Sequence, residues 1–276
     1  GTITNASGGE IGGSSANYGI INGRDIETIN NEHGASIRGN FDAINSYVED
    51  ALTINNAGSI TGNVVSAGPA TINIQGEHSS IAGNVENSNG SVNVLSGALF
   101  TSGGTFQANT FSIQSGAHLH MGSSAHSITA NTVDNAGTLD VAEGLVANVQ
   151  GNYTQSGTLR IGASSNSSYG RLAVNGSATL TSAATIEVDV NASHTLAAGQ
   201  TLAGVITASG TLINGAPGGN VSDNSYLFDF ESVTHGNAVD LQIVAVGTPP
   251  APAPSPAPSP APSPSPSQAP APAPTP

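Results

Sequence analysis

The sequence predicts an all-β chain: a right-handed, single-stranded parallel β-helix followed by a disordered Pro-rich tail. Three observations carry this. Helical stretches are nearly absent, because Gly, Ser, Asn and Thr interrupt almost every window of about 11 residues. Short runs alternate apolar and polar residues, as at Ala70-Thr71-Ile72-Asn73-Ile74 and Thr185-Ile186-Glu187-Val188-Asp189-Val190, the pattern of strands with one apolar face. These runs recur at a nearly constant spacing of 20 to 23 residues, which is the mark of a solenoid.

Taken from the N-terminus, the first repeat is Ile-x-Gly-Asn. It stands at Ile37-Arg38-Gly39-Asn40, Ile60-Thr61-Gly62-Asn63 and Ile81-Ala82-Gly83-Asn84, at spacings of 23 and 21. An Ile and a turn precede each: Ile29-Asn30-Asn31, Ile54-Asn55-Asn56 and Ile74-Gln75-Gly76. A second repeat is a comb of leucines at Leu99, Leu119, Leu139 and Leu159, spaced by 20. Gly97, Ala117, Gly137 and Gly157 lie two residues before them, and Thr101, Met121, Val141 and Ile161 two after. Leu180 extends the comb at a spacing of 21. Towards the C-terminus, Leu172, Val174, Leu180, Ile186, Val188 and Val190 are expected to point inward.

One such unit cannot bury its apolar face alone, whereas stacked units can, pairing as parallel strands about 4.8 Å apart. At roughly 20–22 residues per coil, residues 1–247 would give about 11–12 coils and a rod of about 55 Å. Gly and Asn supply the tight turns. Asn30 and Asn55 are placed to bond from coil to coil, as in cross-β ladders. The structural rival is an antiparallel sandwich or barrel, which leaves the leucine spacing without a cause. A leucine-rich repeat shares the period, but its leucine–asparagine signature is missing.

Three segments follow: coils over 1–151, further coils over 152–247, and a linker over 248–276. Pro249 to Pro276 hold 14 of the 16 prolines, alternating with Ala and Ser. Such a stretch reads as a polyproline II spacer, reaching on the order of 85 Å when extended.

Composition narrows the function. The chain has 276 residues, 4 cations (all Arg), 18 Asp+Glu, a net charge of −14, and no Cys or Trp. So few cations exclude phosphate neutralisation and hence nucleic acid as a partner. An anionic membrane surface would repel the chain. The missing cysteine excludes disulfides, thiol nucleophiles and zinc–cysteine sites. No apolar run approaches the roughly 18 residues of a membrane helix. There is no initiator Met and no basic start, so the sequence reads as an internal piece of a longer chain.

Few residues suggest chemistry. His118 and His120 share one strand face, with His126 nearby, so a metal site is conceivable. The preferred reading turns both imidazoles to solvent and Leu119 and Met121 inward. Glu187 and Asp189 also share a face, and Asp134 and Asp140 flank the coil at Leu139. Paired carboxylates can serve acid–base catalysis or calcium, but a solvated outer face is preferred. Arg24, Arg38, Arg160 and Arg171 are scattered in sequence, whereas cleavage of acidic polysaccharides usually needs a cation beside the acids. Gly8-Gly9 and Gly12-Gly13 precede no Lys and no helix, so they are not phosphate loops. Gly23-Arg24-Asp25 lacks the Arg-Gly-Asp order, and no nucleophile elbow is present. No catalytic, cofactor-binding or metal residue is assigned, and no cofactor is expected.

One stretch is more specific. Asn152-Tyr153-Thr154-Gln155-Ser156-Gly157-Thr158-Leu159 leads to Tyr169-Gly170-Arg171-Leu172-Ala173-Val174-Asn175-Gly176-Ser177-Ala178-Thr179-Leu180. Tyr226-Leu227-Phe228-Asp229-Phe230 and Val239-Asp240-Leu241-Gln242-Ile243-Val244 close it. With the coils before it, this resembles the passenger domain of a monomeric autotransporter (type V secretion) of the pertactin-like β-helix kind. Residues 152–244 resemble the C-terminal autochaperone region of such passengers. The resemblance implies a Gram-negative cell-surface location, outer membrane-anchored or secreted, and a partner in the chain's own C-terminal β-barrel translocator, which this sequence does not contain. It also implies contact with host or neighbouring cells and a monomeric rod. Absence of Cys suits export of an unfolded chain through an oxidising compartment. The expected function is a non-enzymatic passenger stem serving adhesion or display of other segments. The alternatives are a β-helix polysaccharide-cleaving enzyme and a self-associating module for cell aggregation.

Overall fold

A computed structural model describes residues 1–121, 127–216, 218 and 220–246. Among them are 26 strands and no helix. Nearly every strand pairs in parallel and in register with a strand of the coil before it and of the coil after it. The chain is a parallel β-helix, and residues 1–246 form one compact unit. The Pro-rich 248–276 lie outside the described residues.

Each coil turns through three faces, and each face contributes a file of inward side chains. The first file runs Ile11, Ile37, Ile60, Ile81, Ser102, Met121, Val141, Ile161 and Val188. The second runs Ile29, Ile54, Ile72, Val92, Phe111, Val133, Tyr153 and Ala178. The third runs Ile44, Val64, Val85, Phe106, Ile128, Val149 and Val174. Strict alternation puts the intervening polar residues outside, so the core is one continuous apolar column. Ser102 interrupts the first file; its hydroxyl donates to the Gly104 carbonyl at 2.9 Å. Within the same coil, Phe100, Phe106 and Phe111 fill the interior edge to face, with ring centres 5.9 and 5.2 Å apart.

The Ile-x-Gly-Asn motif is a corner. A Cβ on Gly62 would lie 2.3 Å from the Gly39 carbonyl oxygen, and one on Gly83 would lie 2.4 Å from that of Gly62. Only glycine lets successive corners approach so closely. The following asparagines tie one corner to the next: Asn63 Oδ1 accepts from the Asn84 N–H, and Asn84 Oδ1 from the Thr105 N–H, both at 3.0 Å.

Two asparagine ladders run along the coils. The outer one contains the expected pair: Asn55 donates to Asn30 at 2.9 Å, Asn73 to Asn55 at 2.9 Å and Asn93 to Asn73 at 3.1 Å. A second, buried ladder was not expected: Asn5 donates to Asn31 at 2.9 Å and Asn31 to Asn56 at 2.8 Å. Inside the column these bonds satisfy amides that would otherwise be costly to bury.

The leucine comb needs two corrections. Leu119, Leu139 and Leu159 do stack in order. Leu99 does not join them: it registers with His118 and is 48% exposed, and Phe100 takes the inward place against Leu119. That coil is one residue shorter, and a shift of one residue turns every side chain to the other face. Leu180 also leaves the comb. It registers with Gln155 and Asn214 on another face, and Ile186 follows Leu159 instead. The coil there is lengthened by an antiparallel excursion that pairs Ala163 with Tyr169. Longer coils at this end also give fewer turns than the 11–12 expected. Leu172, Val174, Leu180, Ile186 and Val188 are buried, and Val190 is half-buried against the core.

The C-terminal end changes architecture. Thr201–Ala208 pairs in parallel with Arg171–Asn175, matching Ile206 to Leu172. Its other edge pairs antiparallel with Ala238–Ala245, which forms a hairpin with Phe228–His235. Leu202, Ile206, Val239, Leu241 and Ile243 are buried there. Phe228 and Phe230 meet edge to face at 5.6 Å. The hairpin thus ends the parallel pairing on that face. At the other end, Ile3, Ile11 and Ile26 are only half-buried.

Candidate functional site

The alternation that sends Leu119, Leu139, Leu159 and Ile186 inward sends the next residue of each strand outward. His120, Asp140, Arg160 and Glu187 therefore stand in register as an outer file of alternating basic and acidic side chains. In a chain with four cations this is the main concentration of charge. His120 Nδ1 lies 2.9 Å from Asp140 Oδ2. Arg160 Nε lies 3.4 Å from Glu187 Oε1, and its Nη2 donates to Asp189 Oδ2 at 2.9 Å. Asn224 donates to the other Asp189 oxygen at 2.9 Å.

Beside this file is an open groove lined by His120, Asp140, Glu143, Gly162, Asp189 and Asn191, among others. Glu143 sits in the turn after Val141. Its carboxylate accepts hydrogen bonds from Ser164, from Ser168 at 2.8 Å and from Asn191 at 3.3 Å. These bonds, that of Ser164 first, hold the Glu143 carboxyl below its ordinary range. Gly162 lets the Glu143 backbone come close: a Cβ there would meet the Glu143 nitrogen at 2.8 Å.

The groove's chemistry is largely self-contained. A carboxyl serving as general acid needs its pKa raised, and that of Glu143 is lowered. Burial raises Asp223, but Ser222 is the residue in register with Glu187, so Asp223 faces the opposite side of its strand. Arg160 is committed to two carboxylates. His120 is oriented by Asp140.

The residues singled out from sequence separate as follows. His118 and His120 lie on the outer face, with Leu119 and Met121 inside. His126 lies outside the described residues. Among the described residues no three His, Asp or Glu are arranged to hold a metal. Glu187 and Asp189 share one face and one arginine. Asp140 joins the groove, whereas Asp134 registers with Ser112 and Thr154 on another face. Arg38 faces Glu10 at 3.9 Å, and Arg171 lies over the Tyr169 ring at 5.6 Å. Glu143 escaped the sequence reading: its partners come from three later positions, and no spacing links them to it. Also unforeseen is an exposed aromatic pair near the N-terminal end, Tyr18 and Phe41, with ring centres 6.4 Å apart.

No protein-family model matches this chain, and no curated protein is significantly similar to it.

Proposed function

We propose that this chain is a non-enzymatic stem of an autotransporter-type passenger, displayed at a Gram-negative-type cell surface, where it serves adhesion or holds other segments away from the cell. The observation that carries this reading is the asymmetry of the column. Its C-terminal end meets the antiparallel hairpin Phe228–His235 and Ala238–Ala245, which buries Phe228, Phe230, Leu241 and Ile243. Such an end gives the parallel coils a template on which to stack without ATP, one neighbour at a time. The polar outer surface rich in Asn, Ser and Thr, the lack of cysteine and the internally paired charges of the groove agree with it. The test is labelling of intact cells making the whole protein with an antibody raised against the purified chain, together with competition for cell attachment by the purified chain. Absence of antibody labelling on intact cells, with labelling after permeabilisation, would defeat this reading.

A second reading, a polysaccharide-cleaving β-helix enzyme, is favoured by the groove alone, where His120 and three carboxylates converge. Release of product from an arrayed polysaccharide, lost in His120→Ala, would establish it in place of the first. No release from the whole array would leave the stem.

A further inference from the structure

We propose that His33 and His78 form a binding site for a divalent transition-metal ion of the copper or zinc class. The site follows from the coil stacking. Ile37, Ile60 and Ile81 are successive members of one file. The turn before Ile37 carries Glu32-His33 and the turn before Ile81 carries Glu77-His78, the chain's two Glu-His dipeptides. The turn between them, before Ile60, is the short Ala57-Gly58. It leaves a notch, part of an open groove lined by Asn31, Glu32, His33, Asn55, Ala57 and Gln75.

Two coils at about 4.8 Å per coil separate the histidine turns by roughly 10 Å. The rings are nevertheless close, with centres 5.8 Å apart and planes at 50°. Imidazoles that share one ion through bonds of about 2.0–2.1 Å place their centres roughly 5–6 Å apart. The observed pair has that spacing. Both side chains are exposed, so an ion and its waters can reach them. Two imidazoles gain little from each other, and their protonated forms repel; a shared cation supplies the attraction.

No third protein ligand is in place among the described residues. Water, or the exposed Glu77 carboxylate, would fill the remaining positions, so binding is weaker than at a closed four-ligand site. Glu32 is partly engaged, accepting from the Ser7 N–H at 3.3 Å. Imidazole ligation also sets the order of preference: copper above zinc, with calcium excluded because it demands oxygen ligands. Bound metal would staple the first coils across an intervening one and stabilise the folded state by mass action.

The experiment is calorimetric titration of the full chain with Zn²⁺, Cu²⁺ and Ca²⁺, in parallel with thermal melts. The proposal requires about one Zn²⁺ or Cu²⁺ per chain, a melting temperature raised by metal and restored by chelator, and no Ca²⁺ effect. His33→Ala and His78→Ala should each weaken binding about tenfold or more, while His235→Ala, at the other end of the chain, should not. Both residues are exposed, and unchanged metal-free melts verify that the variants fold. Absence of Zn²⁺ and Cu²⁺ binding would overturn the proposal. So would binding that survives both substitutions, or equal binding of Ca²⁺.

Discussion

Asn135 and Tyr153 meet inside the core, where the Asn135 amide donates to the Tyr153 hydroxyl at 3.1 Å. The hydroxyl in turn donates to Gln155 at 3.0 Å, and all three residues are buried. Tyr153 is the one polar-tipped member of an otherwise apolar file, and its burial pushes the phenol well above its ordinary range. An unfolded chain releases this proton near pH 10, whereas the native chain keeps it. Above about pH 10 the unfolded state therefore binds fewer protons, and stability falls as pH rises, by up to about 1.4 kcal/mol per pH unit. Below that pH the contribution is fully present. Urea midpoints between pH 8 and 11 should show this decline in the wild type. Tyr153→Phe should reduce the decline while losing about 1–3 kcal/mol at neutral pH, because Asn135 and Gln155 lose a buried partner.

The glycine corner makes a sharper steric prediction. Gly83→Ala places a Cβ 2.4 Å from the Gly62 carbonyl carbon and oxygen, backbone atoms that cannot step aside cheaply. Gly13→Ala meets nothing within 4 Å. Chemical denaturation should show Gly83→Ala destabilised by roughly 2 kcal/mol or more and Gly13→Ala within about 0.5 kcal/mol of wild type.

The two asparagine ladders should differ in strength. Asn31 is buried, accepts from Asn5 and donates to Asn56 and to the Ser59 carbonyl. Asn55 makes the equivalent side-chain bonds on the half-buried outer face. Asn31→Ala strands buried partners and should cost about 2–3 kcal/mol, whereas water replaces the partners of Asn55 and Asn55→Ala should cost about 1 kcal/mol or less. Equilibrium unfolding of the two variants measures the difference.

How legible was this in the sequence? The Leu119, Leu139 and Leu159 file follows from a constant coil length, and the Ile37, Ile60 and Ile81 file and the Asn30–Asn55 contact follow from recurring motifs that keep each strand in phase while the turns absorb the change in coil length. The spacing misleads where coil length changes. A coil one residue shorter replaces Leu99 by Phe100, and an antiparallel excursion hands the place expected for Leu180 to Ile186. The groove was half visible: Glu187 and Asp189 lie on one strand, but their junction with Arg160 depends on register, and Glu143 reaches it from a turn. The His33–His78 contact spans two coils, and its one sequence trace is the repeated Glu-His dipeptide.

Folding from the C-terminal end gives an ordered pair of outcomes. Ile37 and Ile186 are 0% and 5% exposed, in register with neighbours on both sides. Aspartate at either place buries a charge at similar cost. If the C-terminal coils template the rest, Ile186→Asp should abolish surface display and slow refolding, while Ile37→Asp should leave the later coils folded and protease-resistant. Equal loss at both positions would remove the C-terminal template.

Parallel stacking in register is tested most directly by cross-linking, since the chain has no cysteine of its own. Thr138 and Thr158 are register partners on adjacent strands, half-buried on the outer side of the file, at a separation that a disulfide spans. Thr138→Cys combined with Thr158→Cys should close to an intramolecular disulfide under mild oxidation, seen as a reversible mobility shift without reducing agent, at no cost to the melting temperature. A pair that stays reduced in the folded protein, or that closes only after denaturation, would contradict the β-helix.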